Sequence, residues 1–195
     1  MMAGLSPFVR AAVAGLLPEE LQPLLCAASL IPLQKKDGGV RPIAVGDTLR
    51  RLIGKVTLSM EDVRDQVQTL KPRQCGVGVP NACEMVGMGL QRLAELDPEG
   101  VWVAVQVYVS NAFNTVHRPA ILLQCHMKTP SAYNWLAWSY RAPVSLYCQG
   151  TEISKSKTGV HQGDAMDRLG FALVLEAALS SPACESAATK LQWLT

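Results

Sequence analysis

The sequence predicts an α+β fold, and three patterns carry that prediction. Two pairs of short apolar runs flank glycine-rich turns, as the strands of β-hairpins do. Several longer segments place apolar residues at helical spacing. Between them, Val101 to Val109 alternates in the period of a β-strand. With 195 residues, 49% of them hydrophobic, the chain is long enough to bury a core as one or at most two compact units.

The overall charge gives no strong electrostatic argument for nucleic acid, because the net charge is only +2 and charged residues make up 17% of the chain. The distribution of charge is more informative. Nine basic residues stand against five acidic ones between Gln34 and Arg73, a local surplus of four. The basic character of the protein therefore lies mainly in one segment.

The cysteines favour free thiols in a reducing compartment over a zinc site or a disulfide framework, since no C-x-x-C spacing occurs and the three histidines do not cluster with them. No apolar run reaches the eighteen residues of a membrane span; Glu176 interrupts the longest, Leu169 to Leu179. Residues Phe8 to Leu17 fit an amphipathic helix better than a signal peptide. We therefore expect an intracellular protein, in the cytoplasm or nucleus, without a membrane partner.

The first elements are predicted from proline and glycine positions. Residues 5–29 form two short helices interrupted by Pro18 and Pro23, a helical lead-in covering residues 1–29. A hairpin follows over residues 30–45, turning at Asp37-Gly38-Gly39, where glycine tolerates positive φ. Pro32 and Pro42 cannot donate to a ladder, so both strands are expected to be edge strands. The hairpin should project as a basic finger.

The middle of the chain is expected to be helical and then to enter the sheet. Thr48 to Leu70 has helical spacing, with Gly54 marking a break or close packing. Asn81 and Glu84 form a capping-box-like start for a helix to about Leu96. Asp97 to Gly100 makes a turn. Val101 to Val109 is apolar on both faces and is predicted to be a central strand.

The last third contains three predicted helices and a second hairpin. The helices cover residues 119–128, 131–140 and about 165–180, the last stopped by Pro182. The hairpin joins residues 144–148 to 153–158 around Gly150.

Four motifs occur in a characteristic order: Lys35-Lys36-Asp37-Gly38-Gly39-Val40-Arg41-Pro42-Ile43, Gln74-Cys75-Gly76-Val77-Gly78-Val79-Pro80, Ser110-Asn111-Ala112-Phe113-Asn114 and Gly159-Val160-His161-Gln162-Gly163-Asp164. From about Leu30 to Leu179 the chain resembles the reverse transcriptases of non-LTR retrotransposons and related retroelements. The resemblance implies a fragment of a right-hand polymerase, with a fingers hairpin and helices over about residues 30–100 and an incomplete palm sheet over about residues 101–195.

The resemblance also implies which metal chemistry is missing. Family members hold Mg²⁺ ions with one aspartate at the position of Tyr108 and with a later Asp-Asp pair. This sequence has a phenol at the first position and contains no Asp-Asp. A phenol with an ordinary pKa near ~10 is a neutral, weak ligand. We therefore expect no productively bound Mg²⁺, no metal ligands and no DNA synthesis.

Other family positions are retained. Phe113 matches the aromatic gate under the sugar of the incoming nucleotide, although a core aromatic has the same pattern. Lys35, Lys36 and Arg41 match basic groups that face the triphosphate, although a solvated hairpin is the common role of such lysines. The remaining expected contacts with nucleic acid are those of Gln162, Gly163, Arg50 and Arg51. Gln162 is also expected to contact the incoming nucleotide.

The sequence departs from the family after Asp164, which we expect to cap the following helix rather than to bind metal. Ala165-Met166-Asp167-Arg168 replaces the usual Pro-Leu-Gly-Pro.

Three hypotheses about the function remain open. The first is a truncated, degenerate reverse-transcriptase domain, whose family partners are an RNA template and a DNA primer. The second is a non-catalytic nucleic-acid-binding protein, which the aromatic content of 6% weakens. The third is an expressed fragment without function.

Overall fold

The order of helices and strands was obtained from a computed structural model, which describes residues 2–71, 74–101, 107, 109–161 and 163–181. Helices and strands are both present, so the α+β class is confirmed. In chain order the elements are α1 (Met2–Val13), a 3-10 turn (Glu19–Leu21), α2 (Gln22–Cys26), β1 (Ala28–Gln34), β2 (Val40–Gly46), α3 (Thr48–Ser59), α4 (Glu61–Gln68), α5 (Ala82–Glu95), α6 (Ala112–Thr115), α7 (Arg118–Lys128), α8 (Pro130–Tyr140), β3 (Val144–Cys148), β4 (Thr151–Ser156) and α9 (Asp167–Leu179).

The described strands form one four-stranded sheet in the order β2-β1-β3-β4. Both predicted hairpins are confirmed as antiparallel pairs. The prediction that β1 is an edge strand is wrong at its base, because Ala28 and Ser29 pair in parallel with β3. Beyond that point β2 is the one neighbour of β1 among the described residues, and Pro32 lies opposite Pro42. The outer part of the hairpin therefore projects from the sheet as expected.

The core lies mainly among helices α3, α4, α7, α8 and α9, and Val144 of β3 also belongs to it. Its largest fully buried side chain is Trp135, which stacks on Trp138 with ring centroids 5.5 Å apart. The indole nitrogen of Trp138 donates to the carbonyl of Leu17 at 2.9 Å. Leu17 and Cys26 belong to the same buried cluster. The helical lead-in thus packs into the core that serves the rest of the chain.

Of the two alternatives predicted for Gly54, close packing is confirmed, because a Cβ there would lie 3.2 Å from Cγ of Met166. The helical segment after β2 breaks at Met60, between α3 and α4. The capping box at Asn81 is wrong: this residue has φ 54° and its side chain makes no capping hydrogen bond. The turn from Asp97 to Gly100 is confirmed by a 3.1 Å backbone hydrogen bond.

The predicted central strand lies largely outside the described residues, which omit 102–106 and 108. Val101, Val107 and Val109 are described; they belong to no strand, and Val107 is 79% exposed. Helix α5, just before this segment, buries none of its residues. Within the described part of the chain, no helix combines the length and apolar character needed to span a bilayer.

Candidate functional site

A cleft of about 850 Å³ opens between the finger hairpin, α6 and α9. Its lining includes Arg41 of β2, Phe113 of α6, and Arg168 and Phe171 of α9. Arg41 and Phe113 are 72 positions apart in the sequence, and the fold brings them to one cavity. The cleft therefore joins two positions that the sequence assigned to nucleotide binding.

Phe113 has contacts that fit both roles predicted for it. Its ring packs on that of Phe171 with centroids 4.7 Å apart, and it is half-buried against the core. It also lines both the main cleft and an adjoining cavity of about 300 Å³. Gln74 to Val77, from the second sequence motif, also line that adjoining cavity. An aromatic face is thus available to a ligand.

The basic residues of the finger hairpin form a second, more open groove. Lys35, Lys36 and Arg41 are exposed and line a space of about 550 Å³ near the turn, together with Asp37. Arg41 lines this groove and the main cleft. The three predicted triphosphate-facing cations are therefore close to each other, and Arg41 connects them to Phe113.

The loop that carries the fourth motif, residues 159–164, packs directly on α6, the short helix that carries Phe113. The amide of Val160 donates to the Phe113 carbonyl at 2.8 Å, and the amide of Gly159 donates to Val116 at 2.8 Å. Gly159 has φ 70°, and a Cβ there would lie 2.4 Å from the carbonyl oxygen of Asn114. Only glycine permits this approach. The third and fourth motifs thus form one structural unit.

Gly163 also has a role in packing. Its amide donates to the carbonyl of Ala44 at 3.2 Å, and a Cβ would lie 2.9 Å from that oxygen and 3.1 Å from Cα of Val45. The close approach that glycine allows here is to strand β2. Two of the remaining expected site positions, Tyr108 and Gln162, lie outside the described residues.

Arg50 is in the core, which corrects its assignment as a nucleic-acid contact. Its side chain is 1% exposed; Nε donates to Oδ2 of Asp164 at 2.5 Å and a terminal nitrogen donates to the Cys26 carbonyl at 3.0 Å. Burial disfavours the cation, but the Asp164 carboxylate outweighs it and raises the pKa of Arg50. Arg51, the next residue, is exposed and remains available to a ligand.

The prediction that Asp164 caps the following helix is wrong, because the N-cap of α9 is Met166 and the helix has no side-chain capping hydrogen bond. Oδ1 of Asp164 accepts from the Met166 amide at 3.0 Å, in the turn just before the helix. Its Oδ2 is used by Arg50. Both oxygens of this buried carboxylate therefore have protein partners, and the residue joins α3 to the entry of α9.

Arg118 is a second buried cation, and no local sequence pattern indicates its role. Its guanidinium donates to the Gly159 carbonyl at 3.0 Å, to the Ser156 carbonyl at 3.1 Å and to the Ser156 hydroxyl at 2.7 Å. The same group lies 4.7 Å from the ring centre of Tyr140, and that of Arg50 lies 5.8 Å away. Both distances suit cation–π contacts.

Two further titratable groups lie near these arginines. His161 is buried, and neither ring nitrogen has a hydrogen-bond partner in the described structure. Burial, with the repulsion of Arg50 and Arg118, lowers the pKa of His161 to about 3, so the ring is neutral. Burial raises the pKa of Asp167 to about 6. Asp167 lines the main cleft.

The described side chains do not fit the pair of Mg²⁺ ions that the resemblance implies. Asp167 is the one carboxylate among the described residues of the main cleft, and its raised pKa disfavours the charged form. Glu176, in the adjoining cavity, forms an ion pair with Lys128. Across the described ranges, no three His, Cys, Asp or Glu side chains are grouped to hold a metal. A hard cation prefers six or more oxygens.

Comparison with models of protein families found no match for this chain, and comparison with curated proteins found none either. The resemblance to reverse transcriptases therefore depends on the four sequence motifs. The geometry above is an independent property of the chain.

Proposed function

We propose that this chain is a reverse-transcriptase-like domain, with the fingers and part of the palm of a right-hand polymerase, that binds an RNA template and DNA primer without extending the primer. The observation that carries the proposal is the shared cleft of Arg41 and Phe113. The hydrogen bond from the Val160 amide to the Phe113 carbonyl supports it, since the third and fourth motifs meet there.

The proposed loss of DNA synthesis follows from the negative charge that the reaction requires around its metal ions. Phosphoryl transfer by two metal ions needs several carboxylate oxygens close together. The sequence places Tyr108 at the first of these positions, and the cleft offers Asp167 beside the cation Arg168. Binding of nucleic acid needs none of these metal ligands. It depends on basic side chains that neutralise phosphates and on aromatic rings on which bases stack.

The binding surface we propose is the finger groove together with the main cleft. Lys35, Lys36 and Arg41 are exposed and share the groove at the hairpin turn. Each cation that neutralises a phosphate releases a counterion, so affinity should fall steeply with salt. Base identity should matter little, because the described cleft offers an aromatic face and cations rather than a set of base-edge partners.

The test is the affinity for an RNA–DNA template–primer, measured by fluorescence anisotropy between 50 and 200 mM salt. Neutralising Lys35, Lys36 and Arg41 to glutamine should weaken binding at every sequence and reduce the logarithmic salt slope by about 2.7, which is ~0.9 for each lost contact. The matched control carries the same loss of three charges at exposed positions elsewhere: Arg92, Lys155 and Lys157.

The control distinguishes the finger groove from general charge attraction. If the two triple variants bind equally well, the groove is not the binding surface. If the unmodified chain does not bind at 50 mM salt, the proposal fails and the hypothesis of a fragment without function takes its place.

A further inference from the structure

The loop of residues 159–164 is held at both ends by buried arginines. Arg118, at the start of α7, donates to the Gly159 carbonyl at its first residue. Arg50, in α3, binds the Asp164 carboxylate at its last residue. The two arginines belong to different helices, and their guanidinium groups lie 4.7 and 5.8 Å from the ring centre of Tyr140. One aromatic ring thus connects both anchors.

Each anchor is itself fixed to regular structure. Arg50 also donates to the Cys26 carbonyl at the end of α2. Arg118 also donates twice to Ser156 at the end of β4. Tyr140 is the last residue of α8 and is buried. The position of the loop is therefore set by several elements at once.

We infer that Arg50, Arg118 and Tyr140 are positioning residues that hold the 159–164 loop against α6, the helix of Phe113. This inference rests on the proposed function where it concerns nucleic acid, because the resemblance assigns Gly163 in this loop to contacts with the primer–template. The positioning itself is a property of the described contacts and is tested separately.

Directional contacts distinguish this arrangement from ordinary core packing. An apolar side chain would fill the same space without the loss of hydration that buried cations suffer. What the guanidinium adds is a set of donors in fixed geometry. Those of Arg118 fix the carbonyl of Gly159, whose backbone must approach Asn114 closely. The phenol oxygen of Tyr140 has no hydrogen-bond partner in the described structure, so the residue contacts the two arginines through its ring.

Hydrogen exchange of the full-length chain tests the positioning without nucleic acid. The amides of Gly159 and Val160, which donate to Val116 and Phe113, should exchange at least tenfold faster in Arg118→Met. Arg118→Lys should restore part of the protection, because one donor remains. Arg168→Met, which alters an exposed arginine of the nearby cleft, should leave these amides unchanged.

A second pair of variants tests the role of the Tyr140 ring. Tyr140→Phe should exchange like the unmodified chain, and Tyr140→Leu should expose the same amides as Arg118→Met. If Arg118→Met does not fold, Ser156→Ala removes one acceptor at 2.7 Å and should increase exchange of the loop by a smaller factor. Equal exchange in all variants, or a uniform increase across the chain, would overturn the inference.

Nucleic-acid binding separates this inference from the proposed function. Arg118→Met should weaken binding of the RNA–DNA template–primer three- to tenfold with an unchanged salt slope, because no phosphate contact is removed. A reduced slope would mean that Arg118 contacts phosphate directly and would contradict a positioning role. If the unmodified chain binds no nucleic acid, the proposed function fails, while the exchange result still decides whether the arginines position the loop.

Discussion

Replacing Arg50 by methionine should destabilise the protein by about 3–5 kcal/mol, because it leaves the buried Asp164 carboxylate without its cation. Methionine is unbranched and fills most of the arginine's volume, so loss of packing is a minor part of the change. The Cys26 carbonyl also loses a donor. A buried acceptor without a partner accounts for about 1–3 kcal/mol of destabilisation.

A double variant isolates the ion pair. Arg50→Met with Asp164→Leu removes both charges, and apolar replacement of a whole buried pair is often neutral or stabilising. The Cys26 carbonyl and the Met166 amide still lose partners, so we expect a net loss of about 2 kcal/mol, which is smaller than that of the single change. The double variant should therefore be more stable than Arg50→Met.

Urea unfolding followed by tryptophan fluorescence measures these differences, since Trp135 and Trp138 report on the core. Arg51→Met is the matched control, because the neighbouring arginine is exposed; its free energy of unfolding should change by less than about 0.5 kcal/mol. If Arg50→Met is as stable as Arg51→Met, the buried pair does not form. Arg50 would then return to the list of candidate nucleic-acid contacts.

Three further predictions concern single positions. The folded-state pKa of His161 is lowered to about 3, so the stability that depends on its neutral ring is fully present above pH 6.5 and is lost as the pH falls. The free energy of unfolding should decrease by about 2 kcal/mol at pH 5 for this reason. His161→Phe should remove this pH dependence from urea melts recorded over a pH series. Gly159→Ala should destabilise by at least about 2 kcal/mol in thermal melts, because the new Cβ meets the Asn114 backbone, whereas Gly87→Ala, with no atom within 4 Å, should be neutral or slightly stabilising. Primer extension with Mg²⁺ or Mn²⁺ should give no product, and Tyr108→Asp should not restore it, since one carboxylate cannot hold two metal ions; reproducible extension by either purified protein would refute this.

The elements with local signals could be predicted from the sequence. The turn at Gly38, with φ 84°, and the turn at Gly150, with φ 81°, use the residue that positive φ favours. The helices that begin near Pro119 and Pro130 carry proline in their first turn, where a missing N–H is tolerated. These features depend on residues within a few positions of each other.

The site depends on contacts that no local pattern reports. Arg50 and Asp164 are 114 positions apart, and a basic residue in a basic segment resembles a surface cation until its partner is seen. Arg118 stands at the first position of a helix, where its long-range donors to Ser156 and Gly159 leave no sequence signature. Gly163 was expected to contact nucleic acid, and its close approach to strand β2 follows only from the tertiary structure.

The most direct test of the account is to map where nucleic acid lies on the protein. An RNA–DNA template–primer would be cross-linked to the full-length chain by ultraviolet light, and the modified peptides identified by mass spectrometry. We predict that cross-links concentrate in peptides that contain Arg41 and Phe113, because these residues share the main cleft, and that they decrease in the Lys35, Lys36 and Arg41 variant. Cross-links confined to another surface, such as the exposed helix α5, would contradict the account.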